Sequence, residues 1–280
     1  MRSQALYGCL LENFAITPQQ DWPLAPLCAL TQASSTTSFA YLLHWAHVDL
    51  RGDQFALYPL RISASEQSDL LESLNQHFQS LAYQFLPYTG DTAVLCMPQP
   101  LAVKTFPLAQ VAGKDVRQFS ATGEQAIAWR SLMNEVQMLL HSHPLNQQRE
   151  QQNLPAINSI WLDYGGSLPK LAQARKTLLM GEMLQGLALA SDNPFRTLPS
   201  HLALDDLPDD TVISINADAL TDEACWQTFW CGLQSGKLKQ LTLFIDMGEA
   251  SLQVKLSPLD IWKMWRREAS ELQTFWGAGQ

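Results

Sequence analysis

Residues 130–166 read RSLMNEVQMLLHSHPLNQQREQQNLPAINSIWLDYGG, and the change of period inside this stretch decides the fold class. From Glu124 onward, Trp129, Leu132, Met133, Val136 and Leu140 fall on one stripe at about 100° per residue, which predicts an amphipathic helix reaching His143. Pro144 stops it. A polar loop follows. Ile157 to Leu162 then turns apolar and rich in strand formers, and it runs into Gly165-Gly166. Helix, stop, loop, strand and glycine turn is the grammar of a sheet covered by helices.

Working outward, the same grammar continues on both sides. Pro18, Pro23 and Pro26 predict an irregular first forty residues. Phe39–Leu50 and Gln54–Leu60, separated by Arg51-Gly52-Asp53, predict a β-hairpin. Ser63 or Ser65, with Glu66 behind it, caps a helix carrying Leu70, Leu71, Leu74 and Phe78. Strands at Ala82–Pro87 and Thr92–Met97 complete a ββαββ order. This predicts a small α+β lobe with its connector over residues 1–110. Residues 111–280 form a larger α/β lobe with a helix-covered sheet. Its further strands are expected at Thr177–Met180, Val212–Asn216, Leu241–Asp246 and Leu252–Leu256. Its helices are expected at Met183–Ala190, at Asp222–Gln234, and from Ser257-Pro258 onward.

Bulk properties exclude several functions. The chain of 280 residues is 46% hydrophobic and 16% charged, with a formal net charge of −9. A duplex-binding protein needs a basic face that displaces counterions, so no nucleic-acid partner is expected. The 5 cysteines are odd in number and form no CxxC pair, which predicts buried thiols rather than disulfides or a zinc site. The apolar run Ala5–Leu11 is too short for a signal peptide, and nothing approaches the ~18 apolar residues of a span. A soluble, cytoplasmic chain without a membrane partner follows.

Candidate binding residues gather in the opening stretch. Arg130, Asn134, Gln137 and His141 lie within about 60° of one another on the helical wheel. They offer a cation, two amides and an imidazole to an anionic ligand, or they hydrogen-bond neighbouring loops. His141 and His143 sit about 200° apart and no HExxH accompanies them, so neither a metal nor a cofactor is predicted. Asn146 with Arg149 can position a carboxylate or phosphate, or form a solvated loop. Asn158 opens the strand. Gly165-Gly166, followed by Ser167 and Lys170, has the general layout of an anion-binding turn but not P-loop spacing. No GxSxG elbow occurs.

Asn134 to Asn146, then Arg149, then Leu154 to Leu162 resembles the RpfE-type regulatory proteins of Gram-negative bacteria. Members of that family are often labelled cofactor-independent phosphoglycerate mutases. The resemblance is nearly chain-long and includes His44-Trp45-Ala46-His47-Val48-Asp49-Leu50 and Trp262 to Arg267. Two places depart from it: Ala46-His47 replaces an Asp-Pro pair, and Asp163-Tyr164 replaces a tryptophan and a glycine. The mutase label implies a two-metal phosphoryl-transfer site with a serine nucleophile. The histidines are His44, His47, His77, His141, His143 and His201, and no Asp-His pair or acidic cluster stands beside a serine in the sequence. The expectation is a regulatory, non-catalytic protein that binds a small anionic molecule or a protein partner. The alternatives are a phosphoglycerate-mutase-like phosphotransferase and a structural interaction module using the tryptophans.

Overall fold

The computed structural model describes residues 4–32, 39–101, 103–170, 178–180, 184–197, 199, 203–207, 210–214, 223–246 and 251–261. Two helices open the chain where irregular structure is expected: α1 (Gln4–Asn13) and α2 (Leu24–Ala29). Pro26 lies in the first turn of α2, where a backbone N–H has no helical partner to lose, so the proline is tolerated. All six residues of α2 are buried.

The expected ββαββ order is present. β1 (Phe39–Arg51) and β2 (Gln54–Pro59) form the hairpin, which turns at Gly52 with φ +64°. α3 (Ala64–His77) begins on a capping box. The Ser63 hydroxyl accepts from the Glu66 N–H, and the Glu66 carboxylate accepts from the Ser63 N–H. Two donors at the helix start are thereby satisfied. β3 (Gln84–Pro87) and β4 (Thr92–Met97) follow.

Next come α4 (Leu108–Val111), α5 (Ala126–His141), α6 (Leu145–Gln151) and β5 (Ser159–Ser167). β1 organises the antiparallel sheet. β4 pairs with its residues 39–44 and β2 with its residues 46–51, while β5 pairs with residues 39–46. Ala46 is paired with both Pro59 of β2 and Ser159 of β5, so those strands take opposite edges of β1. Side chains of β1 alternate between two faces. Phe39, Tyr41, Leu43 and Trp45 pack with Leu70 and Leu74 of α3 and with Trp129, Leu132, Val136 and Leu140 of α5. Ala40 and Leu42 pack on α2. Ala46 packs with Leu57, Leu108 and Val111. The sheet is therefore covered by helices on both faces.

The reading of Gly165-Gly166 as a turn is corrected: both lie inside β5. Their small size serves packing. A Cβ on Gly165 would stand 2.1 Å from the Tyr41 ring, and one on Gly166 would stand 2.7 Å from Pro23 Cβ. The register passes from Ala40↔Gly166 to Leu42↔Asp163, so Tyr164 and Gly165 together face Tyr41. This is a β-bulge, and Tyr164 takes φ +51° within it.

A second, parallel sheet places β6 (Leu178–Met180) between β7 (Phe195–Arg196) and β8 (Thr211–Ile213). α7 (Gln185–Ser191) connects β6 to β7. α8 (Glu223–Gln234) precedes an antiparallel pair, β9 (Leu241–Asp246) and β10 (Ser251–Leu256), and α9 (Pro258–Ile261) follows. The expected ends at Thr177, Met183, Asn216 and Asp222, and the Trp262–Arg267 block, lie outside the described residues. α2 joins the two sheets: Ala25 and Cys28 belong to the cluster on β1, while Leu27 packs with Leu179, Leu184 and Leu187. The thiols of Cys28 and Cys96 are buried as expected, but Cys9 is half-buried and Cys231 is exposed. No helix among the described residues is long and apolar enough to cross a membrane.

Gly165→Ala forces the Tyr41 ring aside and is expected to lower unfolding free energy by about 3 kcal/mol in urea titrations. Gly52→Ala meets open space and carries only the left-handed backbone cost of about 1 kcal/mol. The reverse order would contradict the packing of β5 on Tyr41.

Candidate functional site

On the α2-side face of β1, His44 stands between the two apolar clusters that hold Leu42 and Ala46. Across the strand pair, Asp163 is only 1% exposed and its Oδ1 lies 3.0 Å from His44 Nε2. Its other oxygen, Oδ2, accepts from the Leu108 N–H at 2.8 Å. Both carboxylate oxygens are thus occupied in a site where an unpaired charge costs several kcal/mol. The bulge produces this arrangement. It lets Asp163 and Tyr164 both reach the α2-side face, where alternation would separate them.

A second acid enters from the segment between α1 and α2. Asp21 is buried; its Oδ1 accepts from the Trp22 N–H at 2.8 Å and its Oδ2 from the Thr105 hydroxyl at 3.3 Å. Burial pushes its carboxyl up to about 6, against the lowering effect of the Trp22 N–H, and the Asp163 charge adds to the rise. The Tyr164 N–H also faces this carboxylate. Nearby, burial raises the Tyr41 phenol, whose hydroxyl donates to Leu101 O at 2.6 Å. The result is a polar seam of Asp21, Thr105, Asp163 and His44, with His44 at its half-buried rim.

The residues expected from the sequence fall elsewhere. Arg130, Asn134, Gln137 and His141 lie on the exposed face of α5, and Gln137 Nε2 lies 3.3 Å from Ser159 Oγ. His143 Nε2 lies 2.9 Å from Ser73 Oγ, and its Nδ1 accepts from the Leu145 N–H. Asn146 donates to Leu140 O and Ile157 O and accepts from the Ile157 N–H. Asn158 brackets Val48, accepting from its N–H at 2.8 Å and donating to its carbonyl at 2.9 Å. It extends the β5 edge by one residue through its side chain.

Arg149 is buried, not in a solvated loop. It donates to Pro155 O at 2.8 Å and pairs with Glu66 at 2.5 Å, locking α6 onto the capping box of α3. Burial raises the Glu66 carboxyl, but the Ser63 N–H and Arg149 outweigh this and hold it below the usual range.

The seam escapes sequence inspection because its members are far apart; His44 and Asp163 are separated by 119 residues. The one local signal is an acid inside an otherwise apolar strand, Ile160-Trp161-Leu162-Asp163-Tyr164. Among the described residues no three His, Cys, Asp or Glu side chains form a group that could hold a metal ion.

With this geometry in view, the likeness to known proteins is specific in location. Residues 39–146 match the family described as 2,3-bisphosphoglycerate-independent phosphoglycerate mutase. The chain is 27% identical over 112 residues to the probable 2,3-bisphosphoglycerate-independent phosphoglycerate mutase of Geobacter sulfurreducens, covering 40% of this chain and 28% of that protein. It is 26% identical over 117 residues to the 2,3-bisphosphoglycerate-independent phosphoglycerate mutase of Methanosarcina barkeri, covering 41% and 29%. The match therefore spans less than a third of the length of these curated relatives. Among solved structures, the PH0037 protein of Pyrococcus horikoshii aligns at 14% identity over 76% of this chain and 56% of that one, with a TM-score of 0.48. The cofactor-independent phosphoglycerate mutase of Thermoplasma acidophilum aligns at 13% identity over 84% and 71%, with a TM-score of 0.43. The family match and the two curated relatives carry the mutase half of the resemblance; none of these three carries a regulatory name.

Removing one partner of a buried charge network leaves the other stranded. Arg149→Ala is expected to cost about 3 kcal/mol of stability. Asp163→Ala, which strands His44 and the Leu108 N–H, is expected to cost a similar amount, about 3 kcal/mol. Thermal and urea unfolding check both, and unchanged midpoints would remove these groups from the framework.

Proposed function

We propose that the chain is a regulatory protein that uses a phosphoglycerate-mutase-like segment as a scaffold and acts by binding rather than by catalysis. The carrying observation is where its reactive side chains go. Within and around residues 39–146, His44 is held by Asp163, His47 by Ala156 O, His143 by Ser73, and Arg149 by Glu66 and Pro155 O. Asn146 and Asn158 are committed to backbone groups. These residues support the chain's own architecture.

The outer face of α5 is the surface this reading uses. Beside Arg130, Asn134, Gln137 and His141 it presents Ile127, 72% exposed, and Met138, 73% exposed. A mixture of amides, a cation, an imidazole and large apolar side chains suits a protein surface better than a small anion, which needs convergent donors in a concave site. The competing reading, a mutase-like phosphotransferase, is favoured by the match over residues 39–146.

An assay with 2-phosphoglycerate in the presence of Mn²⁺ or Mg²⁺ is expected to show no turnover above buffer. Sustained turnover that His44→Gln or Asp163→Asn abolishes would overturn the regulatory reading. In parallel, a protein captured by the wild type is expected to be lost from Ile127→Glu and Met138→Glu. Unchanged capture by both variants would remove α5 as the binding surface.

A further inference from the structure

One exposed face of α5 carries a seven-residue repeat. Ile127, Ser131, Asn134, Met138 and His141 are spaced by four, three, four and three positions, and all five are exposed. They lie within about 80° of one another on the helical wheel. The opposite stripe, Trp129, Leu132, Val136 and Leu140, packs on the sheet. The two flanks of the exposed face differ in charge. Arg130 borders it on one side, about 60° from Ile127, and Glu135 borders it on the other, about 80° away. Both are exposed. Glu135 lies 3.5 Å from His77 in a pair whose side chains are half-exposed, and such a surface pair holds its carboxylate weakly.

We propose that this face pairs with the same face of a second copy of the chain, the two α5 helices lying side by side and parallel. The inference rests on the reading of α5 as a binding surface and names what binds there. Charge decides the direction. In a parallel pair related by a two-fold axis along the helices, each flank meets the opposite flank of the other copy. Arg130 then faces Glu135, five positions further along, and the contact occurs twice. In an antiparallel pair each flank meets itself, and the cation and the acid stay apart. Across the parallel seam each residue meets its own counterpart. Ile127 and Met138 bury against themselves. The two Asn134 amides, each both donor and acceptor, hydrogen-bond at the centre and hold the register.

The strength follows from size. α5 has 16 residues, about 24 Å of helix, and of the seam residues only Ile127 and Met138 are large and apolar. The contact therefore buries about 1,000 Å² or less, the range of weak, transient pairs. The net charge of −9 opposes association at low salt. At about 0.15 M salt, charges more than about 8 Å apart are largely screened, while Arg130 and Glu135 are in contact. Self-association is expected at about 100 µM.

Sedimentation equilibrium of the full chain between about 10 µM and about 1 mM tests it. The average mass is expected to rise with concentration from one chain toward two. Arg130→Glu and Glu135→Arg each set like charges against one another across the seam and are expected to weaken association by about tenfold. An equimolar mixture of the two variants re-forms both pairs and is expected to associate nearly as the wild type does; this rescue needs two copies in the parallel sense. A wild type that stays monomeric over the whole range, single reversals without effect, or a mixture without rescue would each overturn the proposal. Should either variant fail to fold, Asn134→Cys serves instead. It is expected to cross-link to its own copy on oxidation at the same concentrations, and cross-linking no greater than in the wild type sinks the pairing. A monomeric wild type that captures a different protein, lost in Ile127→Glu, overturns self-pairing and leaves α5 as the binding surface.

Discussion

A single buried carboxylate constrains much of this fold. Asp163 lies 1% exposed in a strand that, between Ser159 and Ser167, is otherwise built of isoleucine, tryptophan, leucine, tyrosine and glycine. Its charge has to be matched by donors inside the protein or it would not be tolerated. His44 on β1 supplies one donor and the first N–H of α4 the other. Satisfying Asp163 therefore fixes the register of β5 on β1 and pins α4 against the same face. The bulge at Tyr164-Gly165 follows, because β5 must continue along β1 after placing both the acid and the tyrosine on one face. The glycine at 165 then leaves room for the Tyr41 ring.

The same acid sets the electrostatic conditions for the N-terminal segment. Asp21 enters a seam that already holds a negative charge, and its own burial raises its proton affinity. Elsewhere, Arg149 and Glu66 form a buried pair that joins α6 to the start of α3, next to the capping box at Ser63. On the α2 side, the Trp22 N–H and the Thr105 hydroxyl donate to the Asp21 carboxylate.

Local features of this architecture were legible in the sequence. The Ser63/Glu66 cap, the Gly52 turn, the ββαββ order and the apolar stripe of α5 each depend on residues within a few positions, where propensity and period carry the information. The features that depend on distant partners were not legible. Gly165-Gly166 looks like a turn because glycine permits one, yet here both glycines are demanded by Tyr41 and Pro23, more than a hundred positions upstream. Pro26 looks like a breaker, and only its place in the first turn of α2 makes it harmless. Arg149 and Asn158 look like ligand-binding groups because their chemistry suits anions. Their partners, Glu66 and Val48, lie about 80 and 110 positions away. Polar residues beside an apolar pattern are ambiguous in sequence, since the same amide can meet a ligand or a strand edge.

Tyr164 shows how such a position is retained. Its backbone, at φ +51°, would suit glycine better, and a left-handed conformation costs a bulky residue about 1 kcal/mol or more. The resemblance noted from the sequence places a glycine there. The tyrosine offsets its strain with burial: it is 4% exposed, packs in the cluster with Ala25, Cys28 and Leu42, and sets its ring edge-on to Tyr7 at 5.1 Å. A fully buried aromatic side chain is worth about 2–3 kcal/mol, which exceeds the backbone cost. The ring also ties α1, through Tyr7, to the bulge that positions Asp163. An exchange of glycine for tyrosine at this point would convert a permissive bend into a packed joint between the N-terminal helices and the sheet.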